Sequence, residues 1–317
     1  MLRFVLKRLA LFAAVLLVVN ATSYLVANYL SLRGPMAYNY VPDKQVAIAD
    51  VLAPYPDYLR GALRGDLGVV QRWQGNFLIL ESIADRLPRS LTLLGIAVSF
   101  SIAVGITVGL LSVNYRTQRT NPLALILSLA GFSMPGFYMG ILVLYLIIWA
   151  AMNKGEVTFS LPISGYGLDE HLVLPVMALA ARPTAEIARL TAELLGEELS
   201  KEYIRAARAK GLPDRVVIVR HAFRNVVAAV VNAMGNSWSY LIGSLVIIER
   251  VFSWGGMGQG LIDSVTFNQF AGSSFNPALV ASFATALALL FLLADLITEL
   301  AAWSLDPRLR NANGGAA

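Results

Sequence analysis

The chain has 317 residues, of which 57% are hydrophobic and 14% charged, with a mean hydropathy of +0.63 and a formal net charge of +5. This apolar share exceeds that of soluble domains and marks an integral membrane protein, and in such a chain a basic balance reflects Lys and Arg held on the cytoplasmic side instead of nucleic-acid binding. The absence of cysteine excludes a disulfide framework, a thiolate metal site and a thiol nucleophile.

A helix needs roughly 20 apolar residues to cross the hydrocarbon core. Six runs meet that need: Phe4 to Leu30, Leu91 to Val113, Pro122 to Met152, Leu172 to about Leu190, Val226 to Ile248, and Ala278 to Trp303. The first follows Arg3, Lys7 and Arg8 like a secretory signal, but it is longer than a usual signal core and carries Tyr24 and Tyr29, which suit the interface of a retained span. The fourth is the weakest, because Arg182, Glu186 and Arg189 enter its second half.

Positive charge in the short loops orients the bundle. The segment from Arg189 to Arg224 holds eight Lys and Arg, Arg116 and Arg119 separate runs two and three, and Arg308 and Arg310 follow run six. Val157 to Glu170 and Val251 to Leu279 hold none. Both termini are therefore expected in the cytoplasm. The predicted organisation is a first transmembrane helix at 1–30, a long external segment at 31–88, a five-helix core at 89–305 that includes a cytoplasmic loop at 190–225, and a cytoplasmic tail at 306–317.

The loop is the most polar part of the chain. Read as a helix, Lys201, Arg205 and Arg208 form one cationic stripe, and Ile204, Ala207 and Gly211 form a small apolar one. Gly211, Leu212 and Pro213 read as a helix stop, with Asp214 capping a second helical piece. Two readings fit such a stripe: an amphipathic helix on anionic headgroups, or a docking element for a cytosolic partner.

At this loop the sequence resembles a known family. "EYIRAARAKGL" at Glu202 to Leu212 is similar to the cytoplasmic loop of the permease subunits of ATP-binding-cassette importers, specifically the B-type subunit of the dipeptide/oligopeptide/nickel group. "GDLG" at Gly65, "IADRLPRSLTLL" at Ile83, "FSMPGFYMGILVL" at Phe132, "LPISGYG" at Leu161, "RHAFRN" at Arg220, "ERVFSWGGMGQGL" at Glu249 and "LDPRLR" at Leu305 resemble the family's blocks in the family's order. The resemblance covers nearly the whole chain. It departs at Arg205, where the broader family often has an acidic residue, and at Gly255, where proline is common.

The resemblance implies an all-α integral membrane protein with six transmembrane helices of the type I importer permease kind, a cytoplasmic coupling helix and a long external segment after the first helix. It implies that Glu202, Tyr203, Ile204, Arg205, Ala207, Arg208, Lys210 and Gly211 contact a groove of an ATPase subunit, as a helix about 15 Å long. The stripe of Ile204, Ala207 and Gly211 is then expected to face close packing, with Arg205 and Arg208 pairing with acids at the groove's rim. The implied partners are a homologous second permease forming a heterodimer, two ATPase subunits, an external substrate-binding protein and membrane lipid. The implied setting is the bacterial or archaeal plasma membrane. The implied cargo is a di- or oligopeptide, with a nickel chelate, glutathione or another small solute as the alternative.

Chemistry within the chain has little support. None of Lys7, Lys44, Lys154, Lys201 and Lys210 follows a glycine, so there is no phosphate-binding P-loop, and ATP and magnesium are expected on partner subunits with no cofactor in this chain. His171 and His221 are predicted on opposite sides of the membrane and cannot share a catalytic or metal site. The alternative of a secondary transporter needs ionisable groups inside spans; the central portions of runs one, two, three and six hold almost none, though Asp295 and Glu299 lie in the later part of run six. Uncharged residues, the polar Ser133, Asn232, Asn236 and Ser237 with Met134 beside them, are candidates for lining a pathway, although small polar residues in membrane helices also serve packing.

Overall fold

The computed structural model describes residues 2–33, 46–72, 75–114, 119–120, 136–154, 161–266 and 276–305. Among these the chain is mostly helical. Its elements are α1 (Leu2–Arg33), α2 (Ile48–Leu52), α3 (Tyr55–Leu63), a hairpin of β1 (Val69–Arg72) and β2 (Gly75–Leu78), α4 (Ile79–Leu111), and a two-residue pairing of β3 (Val113–Asn114) with β4 (Arg119–Thr120). They continue with α5 (Gly136–Lys154), α6 (Val173–Leu199), α7 (Glu202–Ala209), α8 (Asp214–Val216), α9 (Phe223–Val251), α10 (Met257–Val265) and α11 (Pro277–Leu305). Among the described residues three stretches are helical, long and apolar enough to cross a membrane: Arg8–Arg33, Ile79–Leu111 and Pro277–Leu300. The helix through the second apolar run starts twelve residues earlier than that run, at Ile79 instead of Leu91. Its first turns are charged, and Asp85 and Arg89 pair at 2.6 Å with i,i+4 spacing, which supports helix where hydropathy gives no signal.

The contacts divide the chain into two units, one of residues 1–92 and 253–292, the other of 93–252 and 293–317. In the first unit, α3 closes over α1 through aromatic rings. Tyr24 stacks on Tyr58 at 4.6 Å between centroids and meets Tyr55 at 5.4 Å, and it is buried beneath α3. Asn20 completes this contact with its amide, which donates to the Tyr58 hydroxyl at 3.2 Å and to Thr285 Oγ1 at 3.0 Å. The "GDLG" turn works as read: Gly65 and Gly68 take φ of +85° and +90°, and the Asp66 carboxylate accepts from the Gly68 amide at 2.9 Å. Two of the sequence blocks meet here. The buried Trp254 donates its indole N–H to the Arg89 carbonyl at 3.0 Å, and Ser90 Oγ accepts from the Met257 amide at 2.7 Å.

In the second unit α6 packs along α9 and α5. The α4 contact is closest at Gly105 and Gly109: a Cβ added at Gly105 would lie 2.8 Å from the Ile187 side chain, and one at Gly109 would lie 2.6 Å from Thr191 Cβ. This is the Gly-x-x-x-Gly spacing that lets helix backbones approach in a membrane. Beside it Ile187, Val226 and Val230 are buried with Ile102, Ile106, Leu194 and Phe223 against them. Ser99 and Thr107 return their hydroxyls to carbonyls one turn back, at 2.7 Å each, and Ser101 does so while also reaching the Ala180 carbonyl at 3.3 Å. These hydroxyls serve the helices that carry them.

Candidate functional site

The polar loop folds as a short helix held from two sides. Lys201 stands at the N-cap with extended backbone, Glu202 supplies an acid to the first turn, and Arg208 supplies a base to the last, the arrangement the helix dipole favours. The helix ends at Ala209, with Lys210 as its C-cap. Gly211 follows at φ +77°, a left-handed conformation that reverses the chain at little cost only for glycine. The helix is therefore eight residues, about 12 Å, shorter than the expected ten. Pro213, with ψ 144°, occupies the N-cap of α8, and Asp214 is the first residue inside it; the cap expected at Asp214 lies one residue earlier. A six-residue π-helical turn, Val217–Ala222, joins α8 to α9.

Burial divides the residues of α7 between two faces. Ile204 is fully buried and Ala207 nearly so, in a cluster with Val113, Ala192, Leu195, Leu199, Val217, Ile218 and Ala222. The apolar stripe is thus turned into the chain's own core, so the close packing of Ile204 and Ala207 is with this chain's own helices. Burying one Ile contributes about 1.5–3 kcal/mol relative to leaving it exposed. Glu202, Arg205, Ala206, Ala209, Lys210 and Gly211 are exposed, and around Gly211 a Cβ would meet nothing within 4 Å. The expected cationic stripe is also divided. Lys201 pairs with Glu198, Arg208 lies half-buried at 3.6 Å from Asp214, and Arg205 points outward.

Glu198, in the last turn of α6, is the residue that sequence reasoning missed. Its Oε1 accepts from the Tyr203 hydroxyl at 2.6 Å and from Asn225 Nδ2 at 2.9 Å, while Oε2 takes the Lys201 ammonium. Asn225 Nδ2 also donates to the Tyr203 oxygen at 3.1 Å. Burial acts to raise the Glu198 carboxyl, and the hydrogen bonds from Lys201, Tyr203 and Asn225 outweigh it, leaving the pKa lowered. Burial and the bond to Glu198 push the Tyr203 hydroxyl up to about 12. One carboxylate thus joins the start of α7 to the end of α6 and the start of α9, and it brings together the "EYIRAARAKGL" and "RHAFRN" blocks. The signal was an acid one turn before a tyrosine-bearing helix start; its partners lie 5 and 27 residues away, beyond the reach of local pattern.

The other site residues are placed less fully. Ser133 and Met134 lie outside the described residues, and Asn232, Asn236 and Ser237 fall in α9 with side chains outside the described set. His171 sits in a single 3-10 turn before α6, its Nδ1 2.6 Å from Asp169 Oδ1; that hydrogen bond holds the Asp169 carboxyl below its ordinary value. Gly255 takes φ +78° and its amide donates to Gln259 Oε1 at 2.7 Å. Proline could do neither, so this turn is built for glycine.

The family model for the binding-protein-dependent transport system inner membrane component matches residues 101–311, two thirds of the chain and all of the loop just described. The chain belongs to that family. As a permease of this family it is 30% identical to the dipeptide transport system permease protein of Escherichia coli over 81% of this chain and 80% of that protein. It is 28% identical to glutathione transport system permease proteins of Escherichia coli and Shigella flexneri, over 98% of this chain and 99% of each. The matches place the chain among the permeases of ATP-binding-cassette importers, as its ordered blocks implied.

Proposed function

We propose that this permease forms one half of the translocation pathway of an importer for di- and oligopeptides, a class in which glutathione, a tripeptide, is included. The observation that carries the reading is α7, a short helix with one face locked into its own protein and the other, Glu202, Arg205, Ala206 and Ala209, open at the surface. That open face is where an ATPase groove would sit, with Arg205 against acids at its rim and the two alanines allowing close approach. Arg208, Lys210, Ile204, Ala207 and Gly211 then shape the helix from behind and at its end.

In this reading six helices span the membrane, α1, α4, α5, α6, α9 and α11. Both termini and α7 are cytoplasmic, and the segment at 46–78 is external, where a substrate-binding protein delivers cargo. A homologous but distinct permease completes the pathway. ATP and magnesium bind two partner ATPases, and this chain holds no cofactor. The names of the relatives support a peptide cargo in preference to a nickel chelate.

The test is uptake into proteoliposomes holding the chain with its partner permease, ATPases and binding protein, offered labelled di- to pentapeptides, glutathione and a nickel chelate. Peptide or glutathione uptake that needs both ATP and the binding protein is expected. Ala209→Trp, on the open face, is expected to abolish it while leaving the permease in the membrane. Uptake of the chelate alone would remove the peptide assignment, and uptake without ATP would favour a secondary transporter.

A further inference from the structure

Force applied at α7 reaches the membrane helices only if α7 cannot swing by itself. Its covalent links are poor at preventing that. Two residues, Ser200 and Lys201, join it to α6, and a left-handed Gly211 with Leu212 and Pro213 joins it to the next turn. Beyond the Arg208–Asp214 contact to α8, three connections among the described residues hold it to the long helices. Ile204 and Ala207 sit in the apolar cluster, which resists separation but, being non-directional, resists sliding weakly. The Lys201 pair has a Lys side chain that is 56% exposed, and exposed ion pairs contribute little. The third is the triangle of Glu198, Tyr203 and Asn225, with Glu198 only 7% exposed. Charge-assisted hydrogen bonds are short, directional and stronger than neutral ones. The triangle ties one atom of α7, the Tyr203 hydroxyl, to both neighbouring long helices at once.

We propose that Glu198 is a positioning residue for energy coupling: it clamps α7 to the end of α6 and the start of α9, so that movement of α7 becomes movement of both helices. The proposal rests on the permease reading above and adds to it a residue outside the docking helix. Its Lys201 bond is dispensable, and its bonds to Tyr203 and Asn225 are the ones that transmit.

The experiment reconstitutes the complete importer with E198A, E198Q, N225A and the E198A/N225A pair, and measures substrate taken up per ATP hydrolysed. E198A is expected to keep the complex assembled and ATP hydrolysis within about twofold, while uptake per ATP falls about tenfold, the size of a typical coupling free energy. N225A should resemble it, and the pair should be no worse than either alone, since residues of one network do not add. E198Q keeps an acceptor for Tyr203 and Asn225 without the charge, and should restore most of the ratio. If E198A does not assemble, Y203F, which removes only the hydroxyl, is read in its place. Uptake and hydrolysis falling by the same factor in assembled complexes, or an unchanged ratio in E198A, would overturn the clamp. A wild-type complex that takes up substrate equally well without ATP would overturn the ATP-driven reading above and the clamp with it.

Discussion

Glu198 shows how one buried carboxylate can be made to stay charged. Burial favours the neutral acid, and three donors more than reverse it, so the folded pKa lies below the unfolded one. A depressed carboxyl contributes stability that is present above its unfolded pKa and is lost as pH falls through the folded value. Tyr203, raised to about 12, has the opposite sign: its contribution is present below its unfolded pKa and is lost only as pH rises through the folded value. The protection of the amides from Lys201 to Asn225, measured against their intrinsic exchange rates at each pH, should therefore be constant through neutral pH and fall as pH falls through the carboxylate range. In E198Q the acid limb should disappear. An equal acid limb in both proteins would assign the effect to other groups. Gly255 shows the same limit from another side: the family resemblance alone offers proline at this position, and only the backbone angle and the Gln259 hydrogen bond say why glycine stands there.

At the scale of elements, the apolar runs located the helices and misjudged their ends. Helix α4 begins at Ile79 because its first turns are stabilised by side-chain pairs, Asp85 with Arg89 and Arg86 with Asp263 at 3.7 Å, which a hydropathy average counts as interruptions. Helix α6 runs on to Leu199 through Arg182, whose guanidinium lies 4.3 Å from the Tyr240 ring centroid, and Arg189, bonded to Glu193 at 2.8 Å. The Gly105 and Gly109 spacing was legible in the sequence, but its partner helix was not. Gly109→Ala should push α4 from α6, with its Cβ 2.6 Å from Thr191 Cβ and 2.8 Å from the Ala188 carbonyl. Such overpacking costs about 1–3 kcal/mol. Gly95→Ala, on the same helix with nothing within 4 Å, serves as the control and should be neutral or slightly stabilising. Thermal unfolding of the detergent-solubilised variants measures both, and equal midpoints would remove the close approach as a stabilising contact. The two faces of α7 were likewise legible as faces; which of them is buried was not, because the periodicity of a helix carries no label for its neighbour.

For the whole molecule, the absence of native cysteine makes the orientation directly measurable. Single cysteines at Ala209 and Leu168, both exposed, should react differently with a membrane-impermeant maleimide added to intact cells: Leu168→Cys labelled at once, Ala209→Cys only after the membrane is opened. The reverse pattern would invert the topology argued from loop charge. The sequence by itself determined the class, a membrane protein, because apolar content is a sum over residues and needs no partner to be read. It also determined the family, because ordered blocks survive without knowledge of their contacts. Tertiary structure alone decided which atoms those blocks bring together, Trp254 with Arg89 and Asn225 with Glu198, and which face of α7 remains open. The physical reason is range. Hydropathy, charge and helix stops act over a few neighbouring residues, whereas a hydrogen bond between positions 165 residues apart exists only once packing has brought them within 3.0 Å.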